Sequence, residues 1–187
     1  MVELKNNQSC QRNEKNPEDF IFGNLLLEMR RMTNRIYIKW RYTSRKGQRK
    51  MIQAYEHKVQ YYETDQMKVV HHSNYIRWFE ECRIDLMEKG GLGYERMEEE
   101  GIICPVVSVS CQYAAMTRFG EVAEIIPKVE KFNGIRLVIS YQVRDKKTKE
   151  LRCTGESSHC FLDAKGHPVN LKRSSPEFYN MFLKLCE

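Results

Sequence analysis

Asp65, His71 and His72 lie close together in YYETDQMKVVHHSNY, the run from Tyr61 to Tyr75. A carboxylate can attack an acyl carbon or take a proton from water. The unpaired N–H groups and positive dipole of a helix start can stabilise the oxyanion that forms. The run leaves a strand-like segment, bends past Asp65 with few charges, and turns helix-like at Ser73. Asp65 is therefore the candidate nucleophile or general base for a carbonyl, and the peptide near His72 and Ser73 the candidate oxyanion donor. Singly, Asp65 reads as a turn residue bonding its own backbone, and the histidines as loop residues. Their combination between a strand and an amphipathic helix points to a site. Adjacent histidines point in different directions and no third ligand follows at regular spacing, so no metal is expected.

The flanking elements must hold that turn. Ala54 to Glu63 carries the aromatic and β-branched residues of a strand. From Ser73, the expected N-cap, Tyr75, Ile76, Phe79, Cys82, Leu86 and Met87 recur at three- and four-residue spacing, forming one apolar stripe. Arg77, Glu81, Glu88 and Lys89 occupy the other face, and Gly90-Gly91 stops the helix. A short helical piece, Tyr94 to Glu100, precedes strands at Val106 to Ala114, Glu121 to Lys131, Ile135 to Arg144 and Leu151 to Phe161. Turn chemistry separates these strands, strongest at Asn133-Gly134. SPEFYNMFLKLCE then reads as a C-terminal helix with Pro176 near its start. The expected fold is α+β, one long helix against one sheet whose last four strands form an antiparallel meander.

The length, 187 residues, suits one domain plus an appendage. The formal charge of +6 is uneven: residues 1 to 50 hold 12 Lys+Arg against 5 Asp+Glu, leaving 19 against 20 for the remainder. The basicity belongs to a poorly packed N-terminal extension, 1-50. Neither nucleic-acid nor membrane contact is expected for the core, 51-187. Met51 follows RKGQRK, a run that purine-rich codons can encode as a bacterial ribosome-binding site would be, so a native start at Met51 is a second expectation for this segment. The longest apolar runs are too short to span a bilayer and no cleavable leader is visible, which makes the cytoplasm the expected location. Seven cysteines with no CxxC pair are expected to stay reduced, as small hydrophobes.

Tyr61, Thr64-Asp65, Val69-Val70, His72, Asn74-Tyr75 and IRWFEECRIDLM resemble the signature of the 4-hydroxybenzoyl-CoA thioesterase family of hot-dog-fold acyl-CoA thioesterases. GESSHCFLD and GHPVNLKRSSPEFY resemble that family's closing strand and tail. The resemblance covers about residues 54 to 180. It implies a hot-dog fold, a long helix wrapped by a curved antiparallel sheet of about five strands. It also implies sites at a homodimer interface, tetramers beyond, and acyl-CoA hydrolysis without a cofactor. Carried over residue by residue, it makes Asp65 the nucleophile or general base, and His72 the point where a backbone N–H, aided in one branch by the ring, polarises the thioester. Tyr61 lines the same catalytic set. Ser73, Lys68 and His71 are the expected substrate-binding residues. Lys68 stands where the family has glycine, a residue that tolerates positive φ. Two other readings remain. One is an acyl-thioester hydratase or dehydratase using a helix acid, Glu80 or Glu81. The other is a non-catalytic acyl-CoA-binding module.

Overall fold

The computed structural model describes residues 52–186. The expectations for residues 1 to 50 and for a start at Met51 lie outside the described residues. The long helix, α1 (Ser73–Lys89), follows a short first strand, β1 (Tyr55–Lys58), and a single 3-10 turn, Tyr61–Glu63. Next come α2 (Tyr94–Glu99), β2 (Ile102–Ile103), β3 (Val106–Tyr113), β4 (Val122–Phe132), β5 (Arg136–Asp145), β6 (Leu151–Cys160) and β7 (Leu162–Asp163). Helices α3 (Leu171–Ser174) and α4 (Pro176–Cys186) close the fold. One antiparallel five-stranded sheet has the order β1-β4-β5-β6-β3, and β2 pairs with β7 in a separate ribbon. This is the α+β arrangement that the resemblance implies.

The sheet is built on period-two burial. Central β5 buries Leu137, Ile139, Tyr141 and Val143 and turns the residues between them away from the core. Irregular pairing at Val129/Lys131 and Val143/Arg144 bends the sheet around its load. That load is α1, whose Trp78, Phe79, Cys82, Leu86 and Met87 are buried. A fully buried side chain of this size contributes about 1.5–3 kcal/mol. Phe79 stacks on Tyr141 with centroids 4.4 Å apart. The helix comes this close because β6 carries Gly155, where a Cβ would fall 2.4 Å from Phe79 Cε2. Cys82, Cys104 and Cys153 are buried free thiols, and burial pushes Cys104 up to about 11 and Cys153 to about 12. They pack as small hydrophobes.

Four sequence expectations need correction. The first strand ends at Lys58, and Tyr61–Glu63 already turns. The strand from Val106 does not open a meander: β3 crosses to the far edge and pairs with β6, so only β4, β5 and β6 are joined in succession. Ile76 is 42% exposed and lies off the buried stripe. Ser73 is the first helical residue, and the capping position belongs to His72, whose backbone is already helical and whose side chain makes no capping bond. The helix stop is as expected. Gly91, at φ 93°, lets its own N–H reach Glu88 O at 2.9 Å and Leu92 N–H reach Met87 O at 3.2 Å, pairing the last free carbonyls.

Candidate active site

The turn between β1 and α1 is a closed loop. Thr64 and Val70 form an antiparallel bridge, and Asp65 N–H donates to Val69 O at 2.9 Å. Inside it, Lys68 N–H donates to Asp65 O at 2.9 Å, and Lys68 takes φ 61°. Glycine favours this conformation, and lysine is held there by the ladder around it. The half-buried Asp65 carboxylate receives Met67 N–H on Oδ1 at 2.8 Å. Asp65 thus makes the backbone bond of an ordinary turn residue. The same bond fixes its carboxylate, and Oδ2 has no partner among the described residues.

Glu63 ties the loop to the helix. Its main-chain oxygen accepts from His71 N–H at 2.8 Å and from Asn74 Nδ2 at 2.7 Å. From the far side, Val70 N–H donates to Thr117 O at 2.8 Å, Tyr75 OH donates to Thr117 Oγ1 at 3.0 Å, and Tyr113 OH donates to His72 O at 3.1 Å. Burial raises the Tyr75 and Tyr113 hydroxyls above the usual phenol range, which keeps both as donors. The segment carrying Thr117 is held by Arg152, which donates to Met116 O at 2.6 Å and faces Glu121, Asp145 and Glu150.

At the helix start Ser73 N–H donates to His71 Nδ1 at 3.4 Å and Asn74 N–H to His71 O at 3.0 Å, while among the described residues the His72 N–H has no acceptor. Such a group suits a developing negative charge. The His71 and His72 rings are exposed with centroids 4.0 Å apart, and His71 Nδ1 meets Ser73 Oγ at 2.8 Å. Tyr61 is 78% exposed and stands edge-on to Phe119, 5.6 Å away. Tyr62, Met67 and Met116 are likewise exposed. Asp65, Lys68, His71, His72 and Ser73 thus share one loop and helix start, with Tyr61 on the turn leading in. The chemistry available is that of a fixed carboxylate on a loop that leads into a helix start with the His72 N–H left over as a donor. Among the described residues no group of three His, Cys, Asp or Glu side chains is placed to hold a metal ion, and no helix is long and apolar enough to cross a membrane.

Sequence reasoning missed Glu63, Asn74, Tyr113 and Thr117. Asn74 and Glu63 lie within the quoted run, so only their pairing was hidden. Tyr113 and Thr117 come from 41 and 42 residues away in the chain from the groups they bond. Glu81, the rival helix carboxylate, is engaged elsewhere, accepting from Tyr55 OH at 3.0 Å and lying 3.0 Å from His57 Nδ1.

Residues 59–184 match the family model described as the thioesterase-like superfamily. A Bacillus subtilis protein with the provisional name acyl-CoA thioesterase YneP is 32% identical over 130 residues, covering 69% of this chain and 94% of its own. The crystal structure of a DHNA-CoA thioesterase from Staphylococcus aureus superposes with a TM-score of 0.68 at 32% identity, covering 71% of this chain and 89% of that one. A 1,4-dihydroxy-2-naphthoyl-CoA thioesterase from Synechocystis superposes at 0.65 over 72% of this chain and 98% of its own, and its 15% identity speaks for the fold alone. With its hot-dog architecture and a family match across most of its length, the chain belongs to the thioesterase-like superfamily.

Proposed function

We propose that Asp65 and the start of α1 carry out the hydrolysis of an acyl-CoA thioester. The protein is a thioester hydrolase, releasing a carboxylic acid and free CoA. The observation that carries the site assignment is the Asp65 carboxylate, pinned through Oδ1 on a loop that is itself clamped to a helix start whose His72 N–H has no acceptor among the described residues. The thioester carbonyl oxygen lies toward the His72 N–H, where it gains charge as a C–O bond forms at the acyl carbon. Asp65 either attacks that carbon or deprotonates the water that does. The C–S bond then breaks and CoA leaves as the thiolate; where Asp65 has attacked, water then cleaves the acyl–Asp65 anhydride to free the acid and the carboxylate, and in either route the proton released from water goes to the thiolate. Ser73, His71 and Lys68 line the approach, and Tyr61 bounds it. Neither a metal nor an organic cofactor is needed for these steps.

The active unit we propose is a homodimer. Strand β3 is a sheet edge eight residues long, with Val106, Val107, Val109 and Tyr113 exposed, and such an edge invites a second strand. Membership of the 4-hydroxybenzoyl-CoA branch, with an aromatic acyl group, is the finer proposal. It is supported by the exposed Tyr61 and Phe119 rings next to the turn. A thiol-release assay across aromatic, branched, short and long acyl-CoAs tests it. Turnover is expected, fastest with the aromatic thioesters. Equal rates across the panel would refute the aromatic assignment, and no thiol release from any would refute the activity.

A further inference from the structure

Glu63 is 4% exposed, yet it keeps its charge. Burial alone would raise its carboxyl, but the Gln60 N–H, His57 and the Trp78 indole N–H together hold it below the ordinary glutamate range. Oε2 accepts from Gln60 N–H at 2.6 Å and lies 2.9 Å from His57 Nε2, while Oε1 accepts from Trp78 Nε1 at 2.7 Å. The His57 ring packs 4.8 Å from the Trp78 ring and reaches Glu81 through Nδ1 at 3.0 Å. Both of its nitrogens thus face carboxylate oxygens. Glu63 from the turn and Glu81 from α1 are the carboxylates that face the ring, and Tyr55 from β1 donates to Glu81.

The same residue uses its main-chain oxygen to hold His71 N–H and Asn74 Nδ2, and it precedes Asp65 by two positions. One side chain therefore locks β1, the turn and the body of α1 together, while its backbone sets where the loop leaves and where the helix begins. We propose that Glu63, held by His57, is a positioning residue that fixes the Asp65 carboxylate relative to the amide groups at the start of α1. The proposal rests on the assignment of Asp65 above. Glutamine at 63 replaces one acceptor oxygen with an NH2 group. Whichever way the amide turns, either Gln60 N–H or Trp78 N–H faces a donor. The loop shifts while Asp65, Lys68, His71, His72 and Ser73 are all retained.

The test is steady-state hydrolysis of an aromatic acyl-CoA by Glu63→Gln, His57→Gln and Asp65→Asn, each assayed well below its thermal midpoint. Glu63→Gln is expected to lower kcat roughly ten- to a hundredfold with KM changed by less than about twofold, as a displaced reacting group does. His57→Gln is expected to lower kcat about tenfold, because it loosens the same carboxylate without touching the loop. Wild-type kcat in a folded Glu63→Gln or His57→Gln protein would overturn the proposal. So would a loss confined to KM, or a failure of both variants to fold, which would make the network purely structural. Wild-type activity in Asp65→Asn would refute the Asp65 assignment itself. An inactive Asp65→Asn beside a fully active Glu63→Gln would refute only the positioning role.

Discussion

Lys68 stands at φ 61° in the loop that presents Asp65. A left-handed backbone costs a residue with a Cβ about 1–2 kcal/mol relative to glycine. Lys68→Gly is therefore expected to raise stability by about 1 kcal/mol, less the unfolded-chain entropy of glycine, and to leave turnover intact or higher. Denaturant titration and kcat check it, and a large loss of turnover would mean that the lysine has joined the site. The positive φ was legible beforehand, because the resemblance placed a glycine there. The turn at Asp65 was legible too, since a carboxylate in an uncharged bend before an amphipathic run is a local pattern. Ser73 was misread as the cap because its hydroxyl has a nearer partner in the His71 ring. Tyr113 and Thr117 could not be found from spacing, since their hydrogen bonds form only after β3 and its following loop have crossed the sheet.

At the scale of elements, α1 rests on β6 through Phe79 and Gly155. A methyl at position 155 would fall 2.4 Å from Phe79 Cε2 and 2.7 Å from the Ser110 carbonyl oxygen, and backbone cannot yield cheaply. Gly155→Ala is expected to lower stability by about 1–3 kcal/mol, read as a lower denaturation midpoint. Strand positions were readable because alternation and turn residues are local. Strand order was not. The break at Arg118-Phe119-Gly120 has hairpin chemistry, but nothing in it specifies that β3 lies beside β6 rather than β4. The same helix buries Arg83 at 4% exposure with Nη1 unpaired among the described residues, its guanidinium 5.4 Å over the Tyr94 ring. Arg83→Met, which keeps the volume and removes a desolvated charge, is expected to be neutral or stabilising in thermal denaturation. A fall of several degrees would mean that this guanidinium has an acceptor in the assembled protein.

For the molecule as a whole, stability should follow two buried groups through the acid range. Burial, aided by nearby Arg83, pushes the His159 imidazole from the usual 6.5 down to about 4. The unfolded chain takes up a proton as pH falls through 6.5, and the native state takes it up only near 4. Stability is therefore lost progressively across that window and levels off below it. Glu63 has the opposite chemistry, a depressed carboxyl whose contribution is present above the unfolded value of 4.5 and vanishes as pH falls through its lower native one. His159→Gln is expected to flatten the decline in thermal midpoint between pH 6.5 and 4. An unchanged slope would rule out His159 as its source. The central claim is tested most directly by thiol release from an aromatic acyl-CoA with Asp65→Asn and Glu81→Gln side by side. Asp65→Asn is expected to lose about a hundredfold or more in kcat while Glu81→Gln keeps measurable turnover. Full rate in Asp65→Asn with none in Glu81→Gln would contradict it and move the chemistry to the helix.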